Sequence, residues 1–174
     1  TPIRVKVVGR EHVDKKQSYV IVANHQSNYD ILTLGGWIGI QYRWVMKNEL
    51  RKIPVFGATC AAMGHIFIDR SNREKAIQSM QRGVDRLPQG ISILVFPEGT
   101  RSQPGEIQEF KKGAFVIALE RGYPILPVTI NGSARILPKG KGIFQSGAIE
   151  LQISDPIPSQ VYTQSTVDTL IQRT

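Results

Sequence analysis

The chain has 174 residues, 41% hydrophobic and 21% charged, a balance that excludes a disordered tract and suits one domain with a sizeable core. Its single cysteine, Cys60, excludes an internal disulfide framework and fits a reducing compartment. The formal charge of +8 favours polyanionic partners, whether nucleic acid, anionic lipid, phosphate substrates or acidic carrier proteins, without choosing among them.

The chain opens at Thr1, without methionine, in a strand-like alternation of Ile3, Val5 and Val7, so an excised or trimmed domain is expected, one that leaves room for an N-terminal anchor outside the sequence. Tyr19–Ala23 (YVIVA) reads as a buried strand followed at once by the polar cluster NHQSNYD. Ile31–Ile40 reads as a helix opened by Asp30, whose charge suits a helix N-terminus. That most apolar stretch holds three glycines and falls far short of the ~20 residues a membrane span needs. Tyr42–Met46 is a second strand, Lys47–Lys52 a polar segment broken by Pro54, and Val55–Met63 a small apolar helix. Ile66–Ile68 is a short strand ending at Asp69-Arg70.

Ser71 with Glu74 forms a capping-box pattern, and Ala76, Ile77, Met80, Val84 and Leu87 recur at helical spacing until Pro88 and Gly90 end the helix. Ile91–Phe96 (ISILVF) is apolar throughout, as a central strand buried on both faces should be. Gly113–Arg121 is a helix, Ile125–Ile130 and Ala148–Ile153 are strands, and Thr166–Gln172 is a terminal helix. This alternation predicts a single α/β domain over 1–174, with a mixed, largely parallel sheet flanked by helices.

Ligands of open α/β sheets bind beyond the carboxyl ends of the strands. Two polar clusters sit at such ends, Asn24–Asp30 after YVIVA and Pro97–Ser102 after ISILVF. His25 and Asp30, five residues apart, can meet where the strand turns into a helix; the acid then holds one imidazole nitrogen and leaves the other as a general base. An isolated pair of this kind also serves simply to satisfy a turn. Glu98, Gly99, Thr100 and Arg101 combine an acid, a glycine permitting close backbone approach and an arginine suited to bidentate phosphate contact; an exposed turn with a solvated arginine fits the same residues. Lys47, Arg51 and Lys52, like Lys111 and Lys112, add charge that a solvated face would also carry.

Other schemes fail on the residues. No G-x-S-x-G elbow and no Walker-type glycine loop occur, and Cys60 lies in an apolar stretch (ATCAAMG) that suits a core residue. His12, His25 and His65 are widely separated, with no H-E-x-x-H or C-x-x-C spacing, so no metal site is expected. A nucleic-acid binder, suggested by charge alone, lacks a helix-turn-helix, zinc finger or aromatic RNP pattern.

Taken together, these clusters resemble the glycerophosphate acyltransferase superfamily, especially the 1-acyl-sn-glycerol-3-phosphate (lysophosphatidic acid) acyltransferases. Asn24-His25-Gln26-Ser27-Asn28-Tyr29-Asp30 is similar to the N-H-x-x-x-x-D block, and Lys47-Asn48-Glu49-Leu50 through Pro54 and Gly57 to the second block. Phe96-Pro97-Glu98-Gly99-Thr100-Arg101-Ser102 matches the third and Ile125-Leu126-Pro127-Val128 the fourth. Ile68-Asp69-Arg70 and Phe110-Lys111-Lys112-Gly113-Ala114 also look familial. The resemblance implies a glycerol-3-phosphate acyltransferase-like fold and transfer of a fatty acyl group from acyl-CoA or acyl carrier protein to a lysophospholipid hydroxyl. It implies His25 as base, Asp30 as its orienting acid, and a phosphate site drawn from Lys47, Arg51, Glu98, Gly99, Thr100 and Arg101. It further implies no cofactor beyond the thioester co-substrate, no acyl-enzyme, no nucleic acid, and work at the cytoplasmic face of a membrane. Backbone amides near the first block are the expected oxyanion donors. Glycerol-3-phosphate, another lysophospholipid, or a non-catalytic lipid-binding role on the same fold remain the alternatives.

Overall fold

The runs VIVA and SILV are buried at every position because they lie side by side in the middle of a sheet covered on both faces. The computed structural model describes residues 2–138, 140 and 142–174. Its strands are β1 (Ile3–Val8), β2 (Val20–Ala23), β3 (Tyr42–Lys47), β4 (Ile66–Ile68), β5 (Ser92–Val95), β6 (Ile125–Asn131) and β7 (Gly147–Ile153), in the order β1-β7-β6-β2-β5-β3-β4. Every neighbouring pair is parallel except β6 with β7. Val22 lies opposite Val95 and Pro127, Trp44 opposite Leu94, and Lys47 opposite Ile68. The consequence is positional: β2, β5, β3 and β4 all deliver their C-terminal residues to one edge of the sheet.

Among the described residues six helices cover or flank the sheet: α1 (Tyr29–Trp37), α2 (Phe56–Ala62), α3 (Arg73–Val84), α4 (Gly113–Arg121), α5 (Ser133–Ile136) and α6 (Val167–Arg173). On one face Met80 and Val84 of α3, Phe115 and Ile117 of α4 and Leu170 of α6 pack on Val20, Ile93 and Ile125. On the other, Leu34 and Ile136 of α1 and α5 pack on Ile21, Leu94 and Leu126. α2 belongs to neither layer; it lies on the 3₁₀ turn Asn48–Lys52, where a Cβ at Gly57 would stand 2.2 Å from the Arg51 carbonyl oxygen.

Three details differ from the sequence-based expectation. The first helix spans Tyr29–Trp37, and Asp30 turns its carboxylate back into the preceding loop instead of serving the helix end. Leu34 and Ile38 of that segment are core, whereas Leu32 is 54% and Trp37 36% exposed, so the apolar stretch is divided between core and surface. Asn72, not Ser71, caps α3, its Oδ1 accepting from the Glu74 and Lys75 amides, while the Ser71 amide, which a capping box would give to Glu74, is donated to Asp69. The terminal helix starts at Val167, behind a 3₁₀ turn closed by a Thr163–Thr166 capping box. Among the described residues no helix is long and apolar enough to cross a membrane.

Candidate active site

The chain leaves β2 under tight control. Asn24 donates its side-chain amide to the Ile130 carbonyl at 3.0 Å and accepts the Ile130 amide at 2.7 Å, which fixes the strand end against β6. His25 follows, and its Nδ1 lies 2.8 Å from Asp30 Oδ2. The same oxygen accepts the Gln26 and Ser27 amides, each at 2.8 Å, and the Asp30 side chain is fully buried. A carboxylate can only accept here, so Nδ1 carries the proton and Nε2 keeps its lone pair. The imidazole stacks on Phe96 of the neighbouring strand end, ring centres 3.9 Å apart and planes inclined by 14°. His25 is thus fixed in tautomer and ring orientation, with the free nitrogen able to take a proton.

The loop after β5 grips the main chain of His25 from the other side. Glu98 Oε1 accepts the His25 amide at 2.7 Å, and its Oε2 accepts the Gln108 amide at 2.9 Å. Ser102 donates its amide and hydroxyl to the His25 carbonyl at 2.9 and 3.2 Å. Glu98 was expected to line a phosphate site, but the residue is 2% exposed and each carboxylate oxygen accepts a backbone amide, so it joins two loops. The expected oxyanion donors need the same correction: the amides of residues 25, 26 and 27 are all donated to Glu98 or Asp30.

Gly99 sits at φ 76, beneath the side chain of Lys111; a Cβ there would meet Lys111 Nζ at 2.8 Å. Its carbonyl accepts from Arg70 Nη1 at 2.5 Å. Burial pulls the Arg70 guanidinium below its ordinary pKa, against the attraction of Glu49. Thr100 is exposed and Arg101 half-buried in the same turn, and Lys47 stands exposed at the end of β3 on the shared edge. Arg51 is not brought to this cluster. Its guanidinium lies over the Phe67 ring, 5.7 Å from the centre, and lines a separate cleft beyond β4. Arg70, Phe96 and Ser102 are the residues missing from the sequence-derived site, although each lies inside or beside a block it quoted.

A cavity of about 820 Å³ opens between this edge and helices α3, α4 and α6. Ile68, Ile77, Met80, Val95 and Phe110 give it apolar walls, Phe96 and Gly99 bring it next to the His25 cluster, and its charged lining is mixed: Arg70, Lys111 and Lys112 with Glu109 and Asp168, Lys112 being bonded to Asp168. Among the described residues no three His, Cys, Asp or Glu side chains gather as a metal site.

The pattern of the acyltransferase family matches residues 4–131, which include the whole of this cluster. The chain belongs to the acyltransferase family. A 1-acyl-sn-glycerol-3-phosphate acyltransferase of Saccharomyces cerevisiae is 36% identical over 166 residues, covering 94% of this chain and 54% of its own length. The alpha form of that enzyme from Homo sapiens is 34% identical over 172 residues, covering 98% of this chain and 61% of its own. The crystal structure of PlsC, the 1-acyl-sn-glycerophosphate acyltransferase of Thermotoga maritima, matches with a TM-score of 0.78 at 31% identity, over 99% of this chain and 70% of that one. The chain therefore spans between half and two thirds of the length of these curated relatives. Within the acyltransferase family, the mostly parallel sheet flanked by helices agrees with that solved neighbour in fold.

Proposed function

We propose that this domain transfers a fatty acyl group from a thioester, acyl-CoA or acyl carrier protein, to the free hydroxyl of lysophosphatidic acid, giving phosphatidic acid. The observation that carries the reading is a histidine fixed by a buried aspartate and stacked on Phe96, a residue that also lines a largely apolar cavity. His25 Nε2 takes the proton of the acceptor hydroxyl as its oxygen attacks the thioester carbonyl. The tetrahedral intermediate then collapses, the carbon–sulfur bond breaks, and the proton passes from the imidazolium to the departing thiolate. Asp30 compensates the imidazolium while it lasts. A thioester is already activated, so no acyl-enzyme is required.

In this reading the apolar cavity takes acyl chain, and Arg101 with Lys47 meets the acceptor phosphate, for which guanidinium and ammonium groups are chemically apt. Glu98 is left out of that contact, and so is Arg51. No further cofactor is involved. A lysophospholipid acceptor resides in a bilayer, so the enzyme works at a membrane surface, on its cytoplasmic face. The relatives named 1-acyl-sn-glycerol-3-phosphate acyltransferase support this acceptor.

The test is thiol release from acyl-CoA and from acyl carrier protein, with lysophosphatidic acid, glycerol-3-phosphate or lysophosphatidylcholine as acceptor. Release that depends on lysophosphatidic acid and disappears in His25→Ala is expected. Release independent of any acceptor, or none with either donor, overturns the proposal.

A further inference from the structure

The segment Ile53-Pro54-Val55-Phe56-Gly57-Ala58-Thr59-Cys60-Ala61-Ala62-Met63 carries no charge, yet all of it except Gly57 and Cys60 is exposed. Val55 is 80% exposed, Met63 56%, Ile53 45% and Phe56 43%. Such a run reads in sequence as core, and a contiguous apolar face left in water marks a contact surface. Its start is strained as well. Val55 lies at φ 63, ψ −57, and the Phe56 amide closes on the Pro54 carbonyl at 2.6 Å, a γ-turn of the rare, unfavourable kind. Val55 is the one non-glycine residue at positive φ among the described residues, and it is β-branched. Strain that serves packing ends in a buried side chain; this strain holds an apolar side chain out into solvent.

The border of the face is cationic. Lys47, the last residue of β3, and Arg51 and Lys52, on the 3₁₀ turn Asn48–Lys52, precede it, and Glu49 is the single acid of that turn. At its far end Met63 enters a cleft of about 560 Å³ shared with Arg43, Arg51, Arg82 and Arg86, to which no acidic residue among those described contributes. Asp85, which caps the C-terminal end of α3 beside Arg86, is tied to Arg121. The face also has the right orientation, since it begins just beyond the end of β3, on the edge of the sheet that carries His25 and two strands away from β2.

We propose that Ile53, Val55, Phe56 and Met63, with their arginine border, form the surface by which this domain seats on an anionic lipid bilayer. The apolar tips enter the headgroup boundary and the guanidinium groups meet lipid phosphates. The choice of a bilayer as occupant rests on the lipid-acyltransferase reading; the exposure, the strained turn and the charge do not. Leu32 and Trp37 are left as scattered surface residues, since their neighbours Leu34 and Ile38 are committed to the core.

The experiment is co-sedimentation of the 174-residue chain with phosphatidylglycerol and with phosphatidylcholine vesicles, at low and high salt. Val55→Asn/Met63→Ser should weaken binding to phosphatidylglycerol about ten-fold or more, since each apolar side chain withdrawn from lipid is worth roughly that factor. Asparagine tolerates positive φ, so the Val55→Asn variant alone should melt no lower than the parent, which separates lost docking from lost folding. Arg82→Gln/Arg86→Gln should weaken binding to phosphatidylglycerol and leave the weak binding to phosphatidylcholine unchanged. Parental affinity in Val55→Asn/Met63→Ser overturns the proposal. So does self-association of the parent without lipid that this variant abolishes, which would make a second copy the occupant. Transfer to a short-chain, water-soluble lysophosphatidic acid is read in parallel and should be equal in parent and variant. Its absence from the parent counts against the acyltransferase reading and leaves the vesicle result to stand by itself.

Discussion

The Glu98 carboxylate holds His25 by its backbone, accepting the amide at 2.7 Å while its other oxygen accepts the Gln108 amide at 2.9 Å. One side chain thereby couples the strand end that carries the base to the loop that follows β5. Glu98→Gln keeps one acceptor but turns a donor toward a second amide, leaving a buried N–H unpaired at a cost of about 1–3 kcal/mol. The expected outcome is a lower melting temperature and at least a ten-fold lower kcat, with the acceptor KM changed by less than about two-fold. A KM that rises while kcat holds would mean that Glu98 touches substrate after all.

His25→Ala should reduce transfer by ~10²–10⁴-fold, the usual worth of a positioned general base, with the melting temperature close to that of the parent. Asp30→Asn is the more informative variant. An amide oxygen placed where Oδ2 lies can still accept the His25, Gln26 and Ser27 N–H groups, while the negative charge is lost and the new NH2 group, standing where the buried Oδ1 has no partner, lowers the melting temperature. Activity should fall about 10²-fold or more with only a small change in either KM. Radiolabelled donor should leave no acyl group on the denatured protein; a trapped acyl-enzyme overturns direct attack.

The proposed phosphate contact separates three cations that the family resemblance placed together. Arg101→Ala and Lys47→Ala should each raise the acceptor KM about 10–100-fold, with little effect on the donor, as loss of a charged hydrogen bond predicts. Arg101→Lys should recover part of that loss, because an ammonium cannot replace the planar fork. Arg51→Ala should leave the acceptor KM within about two-fold, since its guanidinium lies on Phe67 and faces the other cleft. Comparable effects of all three variants would restore Arg51 to the anion site.

What the sequence made legible is what is local. His25 and Asp30 are five residues apart across one strand-to-helix turn, so the turn alone brings them together. The central strands announced themselves by being apolar on both faces. The clamp from Glu98 to His25 spans 73 positions and depends on β5 lying beside β2, which no local pattern encodes. Arg51 lies away from the cluster for the same reason: a charge just past a strand end points to the site only if its turn does, and here it turns toward Phe67. The helix at 56–62 shows the opposite failure. Its composition says core, and only the sheet order, which makes β4 an edge strand, shows that little remains to cover it.

His65 should give the fold a measurable acid sensitivity. Its Nδ1 accepts the Trp44 amide at 3.2 Å, and its ring stacks on the Trp44 indole with centres 5.2 Å apart. An amide can only donate, so a protonated ring would set two donors against each other. Burial, helped by the positive charge of Arg43, holds the His65 pKa below its ordinary value of 6.5. The unfolded chain therefore binds a proton that the folded chain resists, and stability must increase with pH through that interval. The stabilisation is complete above about 6.5 and is lost as pH falls below it towards the folded-state value. His65→Asn keeps an acceptor for the Trp44 amide without titrating, so it should flatten this part of the profile. The measurement is the urea midpoint of parent and variant at several pH values between 5 and 7.5. The parent should lose stability more steeply than His65→Asn below about 6.5; parallel profiles would mean that His65 takes up its proton in the folded state as readily as in the unfolded chain.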